Sequence, residues 1–350
     1  MTDDLLGKIF YHLCEPGPLS LRHLLFVSTR FYSVTMNNAH LWATISLDYS
    51  FFHHFHKWPE QGNRFVEDCL IRSDPLPLCL YLDFSNINGR ESTVFLPSLE
   101  TFGKPDWRGS QRCVELIWNA ARHQAPTIQR VVDLLPKSLP SLKHISLTYF
   151  DVRMGGSQFP NCPGLERVEI LYQHAPFPRF WGTNFLHVTT LSFGNYTPWG
   201  YFDLATLSLF PVLRDLTLST VRGTEDPVGI NALSQVIFEN LRILRTQGRI
   251  SPAFLTKLVT PILEDLYIEA NTDNSTSIHA LQTSFNPLCR SIHALLPKEV
   301  SAEEPEWGTS LSNLVWRCAG ITSLYISKWM GEECEKRLSG HGVVLMSTGS

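Results

Sequence analysis

The sequence lacks the features that mark several common classes of protein. Its eight cysteines form no Cys-x-x-Cys pair and no Cys/His spacing for a zinc tetrahedron, so we expect reduced thiols and no metal site. No run of about 18 apolar residues occurs, and no basic stretch followed by an apolar core opens the chain. We therefore expect no membrane association, and a location in the cytoplasm, the nucleus or both.

The sequence also lacks a large excess of one charge. It has 29 Lys and Arg against 33 Asp and Glu, and this net charge of -4 gives a phosphate backbone little to bind, so we expect no nucleic-acid partner. No G-x-S-x-G, G-x-x-x-x-G-K-[ST], G-x-G-x-x-G or H-E-x-x-H motif occurs. We therefore predict a protein that is not an enzyme and has no cofactor, although an unrecognised site between residues 50 and 126 stays open. The histidines from His53 to His56 are interpreted as an exposed loop rather than as metal ligands.

Leucine is the residue in excess, at 48 of 350 positions. Beyond residue 126 the frame L-x-x-L-x-L, with other apolar residues allowed, fits seven times. Its first positions lie 23, 23, 25, 28, 22 and 58 residues apart. Five of these intervals lie in or near the period of leucine-rich repeats, roughly 20 to 29 residues, and the last leaves room for an irregular unit around residues 292 to 295. The frame positions, which we expect in the core, are Leu142, Ile145, Leu147, Leu165, Val168, Ile170, Val188, Leu191, Phe193, Leu213, Leu216, Leu218, Leu241, Leu244, Thr246, Leu263, Leu266, Ile268, Ile321, Leu324 and Ile326.

Each frame predicts a short strand in a stacked solenoid, because one repeat cannot bury its own apolar face. A Pro or Phe that recurs before the frame predicts a turn ahead of each strand. The residues between the core positions would lie on the concave face, where mixed charges, hydroxyls and tyrosines favour a protein ligand over a polyanion. The alternative is an ordinary solvated sheet face. We expect one substrate-binding strip on this face, formed by Arg167, Glu169, Arg245, Tyr267, Glu269 and Tyr325.

Residues 1 to 48 predict a compact helical unit. Thr2 can cap a first helix whose first turn carries Asp3 and Asp4. A second helix is expected over residues 19–28 and a third over 29–34. Helices this short persist only when their apolar faces pack against each other or against a partner.

Three blocks of this unit resemble an F-box: Leu5-Leu6-x-x-Ile9-Phe10-x-x-Leu13, then Leu24-Leu25-Phe26-Val27-Ser28-x-Arg30-Phe31, then Leu41-Trp42. The Leu-Pro pair that usually opens the box is absent, and Phe31 stands where Trp is commonest. The resemblance implies that the unit binds a Skp-type adaptor and, through it, a cullin. The residues implied in adaptor binding are Leu5, Leu6, Ile9, Phe10, Leu13, Leu25, Val27, Arg30, Phe31, Leu41 and Trp42.

The whole chain resembles fungal F-box proteins with irregular leucine-rich repeats, which implies an α/β fold and the role of substrate receptor in a cullin-RING ubiquitin ligase. The expected parts are a helical F-box over residues 1–48, a connecting segment over 49–126 and a solenoid over 127–350. Within the connecting segment we predict a helix at 65–71, a strand at 77–84 and a helix at 113–125. The repeats would bind an unknown protein substrate. The alternatives are a repeat scaffold that binds no adaptor, and helices that only cap the solenoid.

Overall fold

The structure is a computed structural model of the chain, and it describes residues 2–13, 24–55, 57–85, 101–102, 104, 107, 109–119, 135–148, 160–171, 185–194, 207–219, 236–247, 258–269, 291–295, 322–327 and 344–348. The described residues fall into two compact units, the first ending at Glu166 and the second beginning at Arg167. The divisions predicted after residues 48 and 126 both lie inside the first unit.

The first unit opens with helices whose ends follow the local sequence. They are α1 (Asp3–Leu13), α2 (Thr29–Asn37), a 3-10 helix (Ala39–Trp42), α3 (Tyr49–Phe55) and α4 (Pro59–Arg72). Thr2 caps α1 as predicted, since its hydroxyl accepts the N–H of Leu5 at 3.4 Å. Ser28 caps α2 by accepting the N–H of Phe31 at 3.1 Å. The described helices do not include one that is long and apolar enough to span a bilayer.

The helix predictions hold in part. The third helix is confirmed and extends to Asn37. Of the predicted second helix, Leu24 and Leu25 are helical and Phe26 and Val27 form a turn, while residues 14–23 lie outside the described part of the chain. The helix predicted at 65–71 is confirmed as part of α4. The loop predicted at His53 is wrong, because His53 and His54 belong to α3, which is anchored by three buried phenylalanines; both histidines are exposed.

The described residues of the first unit form four parallel strands in chain order: β1 (Thr44–Leu47), β2 (Leu78–Asp83), β3 (Cys113–Asn119) and β4 (His144–Thr148). The strand predicted at 77–84 is confirmed as β2. The helix predicted at 113–125 is wrong over 113–119, where β3 buries Cys113, Leu116 and Trp118. That spacing is the repeat frame itself, with Cys and Trp in place of leucine. Residues 120–125 lie outside the described part of the chain.

The repeat begins much earlier than the sequence predicts. Ile45 pairs with Leu80 and Leu47 with Leu82 across β1 and β2, and the same two rows continue to Leu116 and Trp118 in β3. Trp42 stands three residues before Ile45, which is the first position of the frame, and it is buried. The final block of the F-box-like segment is therefore also the start of the first repeat.

The second unit is a parallel sheet with the strand order β5-β6-β7-β9-β11-β12-β13-β14. The pair β8 and β10 forms a separate short parallel ladder. The structure confirms the irregular unit as β12, and it adds β14, in which Ser347 pairs with Ile326 and breaks the leucine frame. The strands are β5 (Arg167–Leu171), β6 (Thr190–Gly194), β7 (Asp215–Ser219), β8 (Val236–Ile237), β9 (Ile243–Gln247), β10 (Leu258–Val259), β11 (Asp265–Glu269), β12 (Ser291–Leu295), β13 (Ser323–Ser327) and β14 (Val344–Thr348).

The frame residues form the core, which confirms an α/β chain with a parallel repeat solenoid. Every frame residue whose side chain is described is buried; Ile321 and the side chain of Ile326 lie outside the described part. Even Thr246 fits, because its hydroxyl donates to the carbonyl of Tyr267 at 3.1 Å. The turn predicted ahead of each strand is also confirmed. In six repeats the first frame residue donates its N–H to the carbonyl three residues earlier: Leu142, Leu165, Val188, Leu213, Leu241 and Leu263.

Candidate functional site

The inner side of the N-terminal helices is closed by packing. Leu6 and Phe10 of α1 are each only 2% exposed, and the ring of Phe10 lies 4.8 Å from that of Phe31 in α2. Trp42 donates its indole N–H to the carbonyl of Thr35 at 2.8 Å. These contacts fix α1 and α2 on the 3-10 helix, so the buried side chains determine the position of the exposed ones.

The outer side of α1 carries three apolar side chains that are exposed in the structure. Leu5 is 49% exposed, Ile9 37% and Leu13 68%. They are spaced four residues apart and therefore form one line along the helix, which we name the apolar ridge. A line of exposed leucine and isoleucine at helical spacing is the geometry by which a helix inserts into a partner's hydrophobic groove.

The structure divides the residues implied in adaptor binding between core and surface. The side chains of Leu6, Phe10, Leu41 and Trp42 are buried and hold the helices together. Leu25 and Phe31 are half-buried. The side chains of Leu5, Ile9, Leu13, Val27 and Arg30 are exposed and accessible to a partner. Helical spacing alone could have separated Leu6 and Phe10 from the ridge, but the sequence does not say which stripe faces inward. Adaptor binding itself stays a prediction.

The exposed Arg30 is already tied to α1. Its Nε and one terminal nitrogen lie 2.9 and 2.8 Å from the same carboxylate oxygen of Asp3. Because both side chains are largely exposed, this pair adds little stability and is screened by salt. Its effect is to hold the start of α2 beside the start of α1.

A groove of about 700 Å³ lies on the flank of α1 away from the apolar ridge. Its walls include Asp4, Lys8 and Tyr11 of α1 and His40 of the 3-10 helix. Gly7 allows a close approach at the base of the groove, since a Cβ there would meet the side-chain nitrogen of Asn38. Both charge signs and neutral polar groups line this groove.

The outward face of the first unit brings together side chains that sequence reasoning missed. Cys79, Glu115 and His144 are cross-strand neighbours in one row. Nδ1 of His144 lies 2.6 Å from a carboxylate oxygen of Glu115. Burial first, and then a hydrogen bond to Glu115, raises the pKa of the Cys79 thiol to about 12, so this thiol is protonated and unreactive at neutral pH. Aligning the core frames of neighbouring strands fixes which outward residues pair, and this alignment could have predicted the row.

Metal binding has no support in the described part of the chain. Over those residues no group of three or more His, Cys, Asp and Glu side chains is arranged to hold a metal ion.

The outward face of the second unit holds the predicted substrate-binding residues. Register places Glu169, Arg245, Tyr267 and Tyr325 in one row across the strands. Arg167 lies on the same face two residues before that row, and Glu269 follows it by two positions along β11. The expected strip is therefore a single row of four residues with one residue on either side of it.

Ion pairs fix both arginines of this face. Arg167 donates from Nε to a carboxylate oxygen of Glu169 at 2.8 Å. Arg245 forms an ion pair with Asp215 on the neighbouring strand β7, and its guanidinium carbon lies 5.0 Å from the ring centroid of Tyr267 on β11. The side chain of Arg245 is thus held between a carboxylate and an aromatic ring.

In a comparison with known proteins, neither a protein-family model nor a curated protein sequence matches this chain.

Proposed function

We propose that this protein is the substrate receptor of a cullin-RING ubiquitin ligase, acting in the cytoplasm or nucleus. The apolar ridge would bind a Skp-type adaptor, and the repeats would bind the protein to be ubiquitylated. The observation that carries the proposal is the apolar ridge, which leaves three large aliphatic side chains 37% to 68% exposed on a helix that packs inward through Leu6 and Phe10. A helix that only capped the repeats would not need a line of exposed aliphatic side chains.

The way in which the helices join the first strands supports this role. Trp42 is the last residue of the F-box-like blocks and also the first core residue of the repeat frame. An adaptor bound at the ridge would therefore be held in a fixed position relative to β1 and the strands that follow it in the first unit. A receptor of this kind needs no active site, because tethering raises the effective concentration of substrate lysines near the conjugating enzyme.

The outward face of the second unit supports the substrate-binding half of the proposal. Its ordered arginines and tyrosines belong to the residue types that most often dominate protein interfaces. A combined Arg245→Ala, Tyr267→Ala variant should keep the fold and the adaptor but lose the substrate. Quantitative proteomics of complexes captured with wild type and variant, with the proteasome inhibited, measures this.

The adaptor half of the proposal is tested by Ile9→Asp in the full-length chain. A carboxylate placed in a desolvated apolar contact costs several kcal/mol, so affinity for a purified Skp-type adaptor should fall by a factor of about a thousand or more. The matched control is Ile71→Asp on α4, which makes the same change at an exposed isoleucine outside the ridge. Circular dichroism of both variants checks that they are folded.

If the folded Ile9→Asp variant bound the adaptor as tightly as the control does, the proposed F-box function would be wrong. The absence of any adaptor binding by the wild type would favour the alternative, a repeat scaffold without a ligase role, which the missing Leu-Pro pair supports.

A further inference from the structure

Tyr81 on β2 lies in a hydrogen-bonded cluster on the outward face of the first unit. Its hydroxyl accepts a side-chain N–H of Asn119 at 2.8 Å and donates to one carboxylate oxygen of Asp83 at 3.3 Å. The other carboxylate oxygen of Asp83 accepts the backbone N–H of Ser85 at 2.9 Å. These bonds fix the orientation of the Asp83 carboxylate, and because both of its donors are neutral they leave its negative charge uncompensated.

The carboxylate of Asp48 lies near the same tyrosine. Burial first, and then the negative charge of Asp83, raises the pKa of Tyr81, and the charge of Asp48 adds to this effect. Because an electrostatic effect weakens with distance, both carboxylates lie close to Tyr81. Asp48 directly follows β1, and one of its carboxylate oxygens accepts the hydroxyl of Ser50 at 2.6 Å and the N–H of Phe51 at 3.0 Å. Its other oxygen accepts no hydrogen bond from the residues that the structure describes.

The outward face around these carboxylates carries no lysine or arginine. Among the described residues, neither Asp48 nor Asp83 forms an ion pair. A cationic group of a partner would therefore meet two negative charges without displacing a cation of the same face. The outward positions of the four strands are Thr44, Ser46, Cys79, Tyr81, Asp83, Glu115, Ile117, Asn119, His144, Ser146 and Thr148.

Ser46 adds an unsatisfied polar group beside the two carboxylates. It stands two residues before Asp48 and is in register with Tyr81, so its side chain is directed to the same face. The residue is only 4% exposed, and its Oγ has no hydrogen-bond partner within the described part of the chain. Buried hydroxyl groups are normally hydrogen-bonded. A donor that entered between Tyr81 and Asp48 would supply the missing partner.

Ile117 on β3 provides an apolar contact next to the tyrosine ring. Register places it directly beside Tyr81, about 4.8 Å away across the strands, and both side chains are partly exposed. The aliphatic stem of a lysine or arginine can pack on such a surface while its charged head reaches a carboxylate. Arginine fits best, because a planar guanidinium stacks on an aromatic ring and donates to two acceptors at once.

We infer that the outward face of the first unit binds an arginine side chain of a partner polypeptide, over the ring of Tyr81 and against the carboxylates of Asp48 and Asp83. This inference rests on the proposed role of the repeats, which begin at β1, as the substrate-binding surface, and it names the class of substrate side chain. Affinity should be higher at low salt than at physiological ionic strength.

The test uses the full-length protein and three fluorescein-labelled peptides of equal length, in which serine alternates with arginine, with lysine or with citrulline, the neutral analogue of arginine. Fluorescence anisotropy at low salt gives the dissociation constants. The arginine peptide should bind about threefold more tightly than the lysine peptide and at least tenfold more tightly than the citrulline peptide.

Variants at the two carboxylates locate the binding. Asp48→Asn combined with Asp83→Asn should weaken the arginine peptide about tenfold, because both charges are removed with little change of shape. Asp48→Asn alone should weaken it about threefold, and this variant keeps the cap of α3 because asparagine caps helices as well as aspartate does. The matched control is Glu60→Gln combined with Asp68→Asn, two exposed positions on α4, and it should weaken binding less than twofold.

A second pair of variants tests the ring. Tyr81→Leu should weaken the arginine peptide about threefold and Tyr81→Phe less than twofold, because the attraction of a cation requires the ring and not the hydroxyl. Equal losses in the carboxylate double variant and its control would overturn the inference, since binding would then follow total charge. Equal binding of the arginine and citrulline peptides would also overturn it, as would displacement of the arginine peptide by an equal concentration of guanidinium ion.

This test contains no adaptor, so its failure is distinguishable from failure of the proposed function. Loss of the adaptor in the Ile9→Asp experiment leaves the peptide measurement unchanged. A negative peptide result leaves the adaptor measurement unchanged.

Discussion

The indole N–H of Trp42 donates to the backbone carbonyl of Thr35 at 2.8 Å, in a buried position. Thr35 lies in the last turn of α2, where helix carbonyls have no N–H partner four residues further along the same helix. Trp42 supplies that partner, and its ring also lies 5.3 Å from the guanidinium carbon of Arg72 on α4. The side chain of Trp42 therefore satisfies a carbonyl in the last turn of α2, contacts α4 and occupies the first core position of the repeat frame.

Trp42→Phe should lower the free energy of unfolding by about 1 to 3 kcal/mol, because the substitution keeps an aromatic ring but leaves a buried carbonyl unsatisfied. Denaturant unfolding of both proteins measures the difference. The control is Trp58→Phe, which changes an exposed tryptophan. A loss no larger than that of the control would show that the hydrogen bond to Thr35 contributes nothing to stability.

The inside and outside assignment of the repeat frame predicts opposite behaviour for two neighbours on β7. Leu216 is fully buried, and Leu216→Ala should cost about 2 to 5 kcal/mol. Thr217 faces outward, and Thr217→Ala should change stability by no more than about 0.5 kcal/mol. Urea unfolding monitored by tryptophan fluorescence compares the two variants. The reverse order would invert the faces of the strand.

The sequence predicts the strands best where the apolar periodicity of the leucine frame is regular. The leucine frame predicts β4 to β7, β9, β11 and β13, because the frame residues at these strands are buried wherever their side chains are described. It misses β3, where Cys113 and Trp118 replace leucine, and β14, where Ser347 replaces the last apolar residue. The outward face is less predictable. The pairing of Arg245 with Asp215 depends on the register between two strands 28 residues apart, which no local pattern specifies.

The buried thiols predict a loss of stability at alkaline pH. Burial raises the pKa of Cys113 and that of Cys162 to about 12, from an ordinary value of 9.0. Between about pH 9 and 12 the folded state therefore retains thiol protons that the unfolded chain releases. By linkage, the contribution of these thiols to the free energy of unfolding is fully present below pH 9 and is lost as the pH rises to 12. Cys113→Ala removes one of these groups. Its free energy of unfolding should therefore fall less steeply than that of the wild type between pH 8 and 10.5, measured by urea unfolding with a reductant present. Parallel pH profiles would show that Cys113 ionises equally in both states.

Arg112 is the side chain that secures the turn between α4 and β2. It is 14% exposed, and it donates to the carbonyls of Leu70 at 2.8 Å and Leu76 at 2.9 Å, and to that of Ser73 at 3.1 Å. These acceptors surround the planar guanidinium, whose five N–H groups diverge in a fixed fork, whereas a lysine ammonium is a single point on a flexible stem. Arg112→Lys keeps the charge and should still cost about 2 kcal/mol or more, because at least one partly buried carbonyl is left without a donor.

Denaturant unfolding measures the effect of Arg112→Lys on stability. Amide hydrogen exchange is measured as well, at Leu76 within the turn and at Leu78 directly after it. The control is Arg64→Lys on the exposed side of α4, which should change stability by less than about 0.5 kcal/mol. The variant should also show faster exchange at Leu78, since the N–H of Leu78 donates to the carbonyl of residue 112 at 2.9 Å and that bond depends on the same turn. If Arg112→Lys and Arg64→Lys had the same small effect, charge alone would explain the role of Arg112, and the three directed hydrogen bonds would add nothing.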